Sequence, residues 1–170
     1  SEVARLFPSA RVQSYAKESE RPPLDFDILI ATQAILRLEG TVIFDTTCAV
    51  QVDPELNRLD FQAGENVFSL LTHLKAMTKE RFFIQTHLRD NYCLKAFLEN
   101  KPELFFKKEL MLRKELGFPP FASMAEIVLR STDEQTAMHQ AELLFGTLTQ
   151  KIKKGIDVLP PQILSLARLR

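Results

Sequence analysis

Residues 116–121, Leu-Gly-Phe-Pro-Pro-Phe, constrain this chain more than any other short stretch. A helical pattern runs into them. From Pro102, Phe105, Leu112 and Leu116 share one face, with Leu104 beside it. Pro102 suits the first turn of such a helix, and Glu103 suits the positive end of its dipole. Gly117 then follows the last periodic residue. Lacking a Cβ, it accepts φ > 0 and fits the C′ position of a Schellman-type cap. Phe118 would be C″ and is expected to fold back onto Leu112. Pro119 and Pro120 each disfavour a helical residue before them, so the chain must leave extended and deliver Phe121 to a fixed place. Glu109 lies in the middle of the helix's apolar face. It either sits at the edge of the contact and reaches water or pairs with a buried cation from elsewhere.

The preceding residues alternate strand and helix signals. Glu2–Phe7 reads as the end of an amphipathic helix stopped by Pro8, and Ala10–Tyr15 as a short strand. A polar linker follows, ending in Pro22 and Pro23. Phe26, Ile28, Leu29, Ile30 and Ala31 form the nearly continuous apolar run of a strand buried on both faces. Thr41–Val52 is rich in β-branched residues and predicts one or two strands. Phe61, Val67, Phe68, Leu70, Leu71 and Leu74 predict a helix over 60–76, and Arg81–Thr86 another buried strand. Asp90–Leu98 reads as a short helix. Beyond the prolines, Ser123–Arg130 alternates as a strand would. Ser131 and Glu134 form a capping-box pattern ahead of the stripe Ala137, Ala141, Leu144, Leu148 and Ile152. Gly155 is expected to close that helix, and Ile156–Leu159 to form a strand, making 123–159 a β-α-β unit. The fold class is therefore α/β.

Composition narrows the function classes. The chain has 22 basic and 22 acidic residues and no net charge, so any nucleic-acid binding must come from a local patch. Cys48 and Cys93 lack zinc-ligand spacing and read as reduced thiols packed as small apolar residues. His73, His87 and His139 have no Ser or Cys partner in a recognisable motif, and read as surface or helix-face residues. Asp25, Asp27, Asp45 and Asp53 lie near predicted strand ends, but no spacing marks a metal site. No apolar run approaches the roughly 20 residues that span a bilayer, and the start has no signal-peptide pattern. The chain opens on Ser1 rather than Met, which suggests excision from something longer. A cytoplasmic location and no membrane partner are the expectation.

The string Glu109, Arg113, Glu115, Leu116, Gly117, Phe118, Pro119, Pro120, Phe121 resembles the C-terminal part of the primosomal protein N′ (PriA) family of replication-restart DNA helicases. Val3–Val12, "VARLFPSARV", approximates that family's "LARLFP". Asp27–Gln33, "DILIATQ", resembles its "DILIGTQ", and Asp60–Glu65, "DFQAGE", its "DFRAGE". Ile84, Gln85 and Thr86 match its "IIQT", and the end of the chain, "VLPPQILSLARLR", is similar to its strand, proline loop and basic run. The resemblance runs from about Ala4 to Arg170.

The resemblance implies an architecture. Residues 1–87 would be the end of a degenerate second RecA-like helicase lobe. Residues 88–170 would be the start of the α+β C-terminal domain, containing the β-α-β unit. It also implies DNA replication restart, with branched or single-stranded DNA and replication-restart proteins or the remaining helicase domains as partners. The family uses ATP with magnesium, and zinc, through a phosphate-binding loop and a cysteine-rich module. This sequence contains neither GxxxxGK[ST] nor a cysteine cluster, so no cofactor is expected in it.

The sequence also departs from the family. Where the family places Gln-Val-x-Gly-Arg-x-Gly-Arg, this chain has His73, Leu74, Lys75, Ala76, Met77, Thr78, Lys79 and Glu80. The arginines that would stabilise phosphate charge are gone. The expectation is a fragment or degenerate relative that binds DNA without ATPase activity of its own. The alternatives are a part of an active 3′–5′ helicase completed by other chains, and an interaction module without DNA binding. No catalytic or metal residue is nominated. The nominated nucleic-acid contacts are Thr32, Gln33 and Arg37, in the loop that resembles the family's DNA-coupling segment, and Lys153, Lys154, Arg168 and Arg170 in the basic end.

Overall fold

The computed structural model describes residues 2–19, 25–58, 60–152 and 155–163. It is mixed α/β, with two small parallel sheets among helices. The chain separates into two compact units, Ser1–Ser123 and Met124–Arg170.

The first unit opens with a short helix, α1 (Glu2–Leu6). Strands β1 (Val12–Tyr15) and β2 (Ile28–Ala31) then pair in parallel, Val12 opposite Ile28 and Tyr15 opposite Ala31. A carboxylate clamp aligns them. The Arg11 guanidinium and backbone N–H donate to both oxygens of Asp27 at 2.8–3.0 Å, and Nη1 also pairs with Asp25. The Arg11 side-chain and backbone donors hold the Asp27 carboxyl far below the usual carboxylate range. A 3-10 helix, Gln33–Leu38, follows β2, with Thr32 as its N-cap.

Strand β3 (Phe44–Ala49), a turn of helix α2 (Asp53–Leu56), helix α3 (Ala63–Ala76) and strand β4 (Thr78–Ile84) make a right-sized crossover, with β3 and β4 parallel. The β-branched run Thr41–Val52 thus gives one strand. Val67, Leu71 and Leu74 recur on one face of α3 and are buried against the interior. Along β4, Phe82 and Ile84 pack on the core, while Phe83 points the other way and is 52% exposed.

Helix α4 (Tyr92–Leu98) and helix α5 (Pro102–Leu116) complete this core. Asn91 caps α4 by accepting from the Cys93 N–H at 2.9 Å. Phe105 is fully buried and lies parallel to Phe68, with ring centroids 4.4 Å apart, and Phe97 meets Phe68 edge-on. Cys93 is buried and its thiol is pushed up to about 12, chiefly by burial and then by the charge of Glu109. Cys48 is exposed, so the expectation of two packed thiols holds for Cys93 alone.

Gly117 ends α5 in the left-handed region, φ 66° and ψ 38°. The Phe118 N–H bonds the Arg113 carbonyl at 2.7 Å and the Gly117 N–H reaches the Lys114 carbonyl at 3.4 Å, the two bonds of a Schellman motif. Phe118 stacks on Phe61, centroids 5.5 Å apart, because the loop before α3 lies beside this helix end. Pro119–Pro120 is a cis peptide, and the Phe121 N–H bonds the Phe118 carbonyl at 3.0 Å, so the chain leaves the helix through a turn and not extended as the prolines suggested.

In the second unit, helix α6 (Glu134–Lys151) forms where the apolar stripe predicts it. Its cap differs. Asp133 is the N-cap, accepting from the Thr136 N–H at 2.7 Å, while Ser131 accepts from the Asp133 N–H. The charged Asp133 side chain, two residues on, takes the capping position that the Ser131–Glu134 pattern suggested. Helix α6 stops at an extended Ile152, before Gly155. Residues 123–130 and 156–159 pair into no ladder among the described residues, so the expected β-α-β unit is represented by its helix alone. Alternation specifies a face for a strand but supplies no partner for its backbone.

Two outcomes test this description. Gly117→Ala lowers stability by about 1 kcal/mol, since a Cβ resists the left-handed cap, and an unmoved urea midpoint would refute the cap. The Asp27 carboxyl has a lower pKa folded than unfolded. Its contribution is therefore complete above the ordinary aspartate value of about 3.9 and disappears as pH falls through the lower folded value. Stability measured by urea titration falls on acidification below about pH 4, and Asp27→Asn flattens that fall.

Candidate functional site

The three nominated residues Thr32, Gln33 and Arg37 come together on the exposed 3-10 helix at the carboxyl end of β2. Thr32 Oγ1 accepts from the Ala34 N–H at 3.4 Å, and the Thr32 N–H bonds the Tyr15 carbonyl of β1. Arg37 donates from Nη1 to the Lys17 carbonyl at 3.1 Å. Lys17 is thus a second exposed cation beside this segment. Sequence reasoning missed it, because no spacing signal links positions 17 and 37. Lys153, Lys154, Arg168 and Arg170 lie outside the described residues.

The carboxyl ends of parallel strands are where open α/β sheets place their sites. At the β3–β4 pair that edge is held by Asp53. Its carboxylate accepts from the Thr86 hydroxyl at 2.5 Å and the His87 N–H at 2.8 Å, and these bonds lower its pKa. Thr86 in turn accepts from the Leu88 N–H at 2.9 Å. Among the described residues no group of three or more His, Cys, Asp or Glu is placed to hold a metal ion. Asp25 and Asp27 face Arg11, and Asp45 lies 3.9 Å from Lys79.

The segment 73–80 has a structural role in this fold. His73 Nδ1 is 2.8 Å from the Glu39 carboxylate, as a helix-face histidine. Lys75 sits over the Phe97 ring at 5.4 Å. Met77 is 2% exposed, caps α3, and gives its carbonyl to the Phe44 N–H of β3. The Thr78 hydroxyl is 2.7 Å from both the Leu74 carbonyl and the Thr47 hydroxyl.

A dense polar cluster joins two of the signature segments, Asp60–Glu65 and Glu109–Phe121. Glu109 is 6% exposed, which overturns the expectation that it reaches water. Its cation comes from its own helix. Arg113 Nε donates to Glu109 Oε1 at 2.8 Å, an i,i+4 pair, and the Tyr92 hydroxyl of α4 donates to Oε2 at 2.5 Å. The other side of the guanidinium turns to the loop before α3. Nη2 donates to Glu65 Oε2 at 2.8 Å and to the Phe61 carbonyl at 3.4 Å, and Nη1 reaches the Pro119 carbonyl at 3.5 Å. The guanidinium carbon lies 5.2 Å from the Phe61 ring centre.

Gly64 makes this closeness possible. A Cβ there would sit 2.9 Å from the Tyr92 hydroxyl and 3.2 Å from Glu109 Oε2. Burial, then the Glu109 hydrogen bond, pushes the Tyr92 phenol well above its ordinary value. Burial works against the Arg113 cation, but the bonds to Glu109 and Glu65 outweigh it and its pKa lies above the ordinary one. The i,i+4 spacing of Glu109 and Arg113 was legible in the sequence. Nothing there pointed to Tyr92 or Glu65. Chemically the cluster is a satisfied ion network whose groups face one another.

The chain is 29% identical over 143 residues to replication restart protein PriA of Borreliella burgdorferi, covering 81% of this chain and 22% of that protein. It is 27% identical over 187 aligned positions to PriA of Rickettsia conorii, covering 99% of this chain and 28% of that protein. It is 22% identical over 178 to PriA of Thermotoga maritima, with coverages of 94% and 23%. No family model matches the chain. The chain spans about a quarter of the length of the relatives it matches. These relationships are to replication-restart proteins. More narrowly, over most of its length the chain is similar to proteins of the PriA family, at 22–29% identity.

Removing the central cation should be costly. Arg113→Ala leaves the Glu109 carboxylate buried without its partner and lowers stability by about 3 kcal/mol. Arg58→Ala, which breaks the exposed Arg58–Glu55 pair, changes it by less than about 0.5 kcal/mol. Denaturant titration of the two variants should separate them, and equal midpoints would sink the network as a stabilising element.

Proposed function

We propose that this chain is a fragment or degenerate relative of the replication-restart helicase, binding branched or single-stranded DNA without ATPase activity of its own. The observation that carries this reading is the burial of Met77 in the segment that resembles the family's arginine motif. A thioether packed at the end of α3 cannot donate to a phosphate. The flanking cations are engaged, Lys75 over Phe97 and Lys79 near Asp45. Neither offers the planar fork of an arginine. Residues 1–87 would then be the remnant of a RecA-like lobe and 88–170 the start of the C-terminal domain. Magnesium, ATP and zinc chemistry would belong to regions outside this sequence, and the setting would be cytoplasmic.

Thr32, Gln33 and Arg37 are the proposed DNA contacts of the first unit. They are exposed at a strand's carboxyl end, on a helix whose Arg37 bonds the Lys17 backbone. Phosphate contacts of this kind position a strand without reading its bases. The basic residues Lys153, Lys154, Arg168 and Arg170 are the proposed contacts of the second unit, by sequence alone. Replication-restart proteins, or further helicase domains, are the proposed protein partners.

A second reading, a working part of a helicase completed by other chains, is favoured by the sheets. A parallel pair is short of a free-standing parallel sheet, which is normally covered on both faces. Here Phe83, Ile43 and Val50 around the β3–β4 pair are more than half exposed.

The pure chain is expected to show no ATP hydrolysis with or without forked DNA, and DNA-stimulated turnover would overturn the proposal in favour of the second reading. In a fork-DNA titration between about 50 and 200 mM salt, binding weakens as salt rises, without base preference. Arg37→Ala weakens it at every sequence and lowers the salt slope by about one. Arg168→Ala/Arg170→Ala tests the basic end in the same assay. Absence of binding at low salt would instead favour an interaction module that does not touch DNA.

A further inference from the structure

We propose that the Glu65–Arg113 ion pair is a salt-sensitive latch that fastens the segment leaving the first unit, residues 117–121, to the start of α3, and that it opens without disturbing the core beneath it. The inference does not rest on the functional reading above.

Arg113 makes two unlike ion pairs. The pair with Glu109 is internal to α5 and enclosed, with side chains 12% and 8% exposed. Tyr92 donates to the same carboxylate, so this half is anchored to α4 as well. The pair with Glu65 crosses between elements 48 residues apart, and the Glu65 side chain is 50% exposed. Solvent and salt therefore reach the second pair and not the first.

The outer half of the guanidinium also holds the exit segment. Nη2 bonds the Phe61 carbonyl and Nη1 the Pro119 carbonyl, while Phe61 stacks between the guanidinium and Phe118. The Phe61–Phe118 seam thus closes only when Arg113 lies across both segments, and Glu65 is the charge that keeps it there. With Glu65 withdrawn, Arg113 remains neutralised by Glu109, so opening strands no buried charge. That asymmetry distinguishes a latch from a core bond. The Schellman bonds at Gly117 belong to α5 itself and set the direction of the turn, while the latch sets whether the turn is fastened to α3.

Hydrogen exchange on the whole chain tests this. The reporters are the Phe121 and Ala122 amides, both bonded to the Phe118 carbonyl, and the control is Lys95 and Glu99 in and after α4. Glu65→Gln is expected to speed exchange at the reporters about five-fold, the worth of a partly exposed pair, with the controls unchanged. Raising salt to about 1 M, where the Debye length is about 3 Å, speeds the same amides in the unmodified chain and has no further effect in Glu65→Gln. Arg113→Lys, which keeps the charge but loses the fork, should open the reporters as Glu65→Gln does. Unchanged reporters, or equal acceleration at reporters and controls, would overturn the latch.

Discussion

The guanidinium of Arg113 is the point on which the first unit's polar architecture depends. A five-donor planar group in a largely apolar setting has to be surrounded by acceptors. Here they come from four places in the chain: Glu109 one turn back, Glu65 and Phe61 ahead of and within the start of α3, and Pro119 after the helix end. Satisfying one cation therefore brings together segments far apart in sequence. The geometry tolerates little substitution. Gly64 must lack a side chain for Tyr92 and Glu109 to approach, and Phe61 must present a ring face to the cation. The apolar interior beneath, with Phe68, Phe97 and Phe105 ring against ring, gives the network a low-dielectric floor on which its charges interact strongly.

This arrangement gives a physical account of why two of the motifs that resemble the PriA family take the form they do. Asp60–Glu65 supplies a ring, a glycine and a carboxylate, and Glu109–Phe121 supplies the paired acid and base, the left-handed glycine and the aromatic that stacks back. They are two sides of one contact within the first unit. Their residues serve to shape the protein. The segment aligned with the family's arginine motif fares differently. With Met77 at the end of α3 and Thr78 bonded to Thr47, positions 73–80 tie helix to sheet.

Several elements were legible because their signals are local. The α3 stripe, the Pro102 start of α5 and the Gly117 stop follow from side-chain spacing or from φ preferences of one or two residues, and each appears close to where the sequence places it. Strands were legible only where a partner existed. Ile28–Ala31 found β1, but residues 123–130, with an equally good alternation, pair with nothing among the described residues. At α6 two capping patterns overlapped within three residues, and the charged Asp133 prevailed over Ser131.

The sequence by itself determined the Gly117 stop of α5, the Glu109–Arg113 spacing and the resemblance to PriA, because each is written in neighbouring residues. Tertiary structure alone decided that Glu109 is buried, that Tyr92 and Glu65 complete its network, that Phe118 stacks on Phe61, and that Lys17 stands beside Arg37. The physical reason is range. Backbone preferences and i,i+4 contacts act within one turn of chain, whereas desolvation and charge pairing depend on which distant segments the core has already brought together.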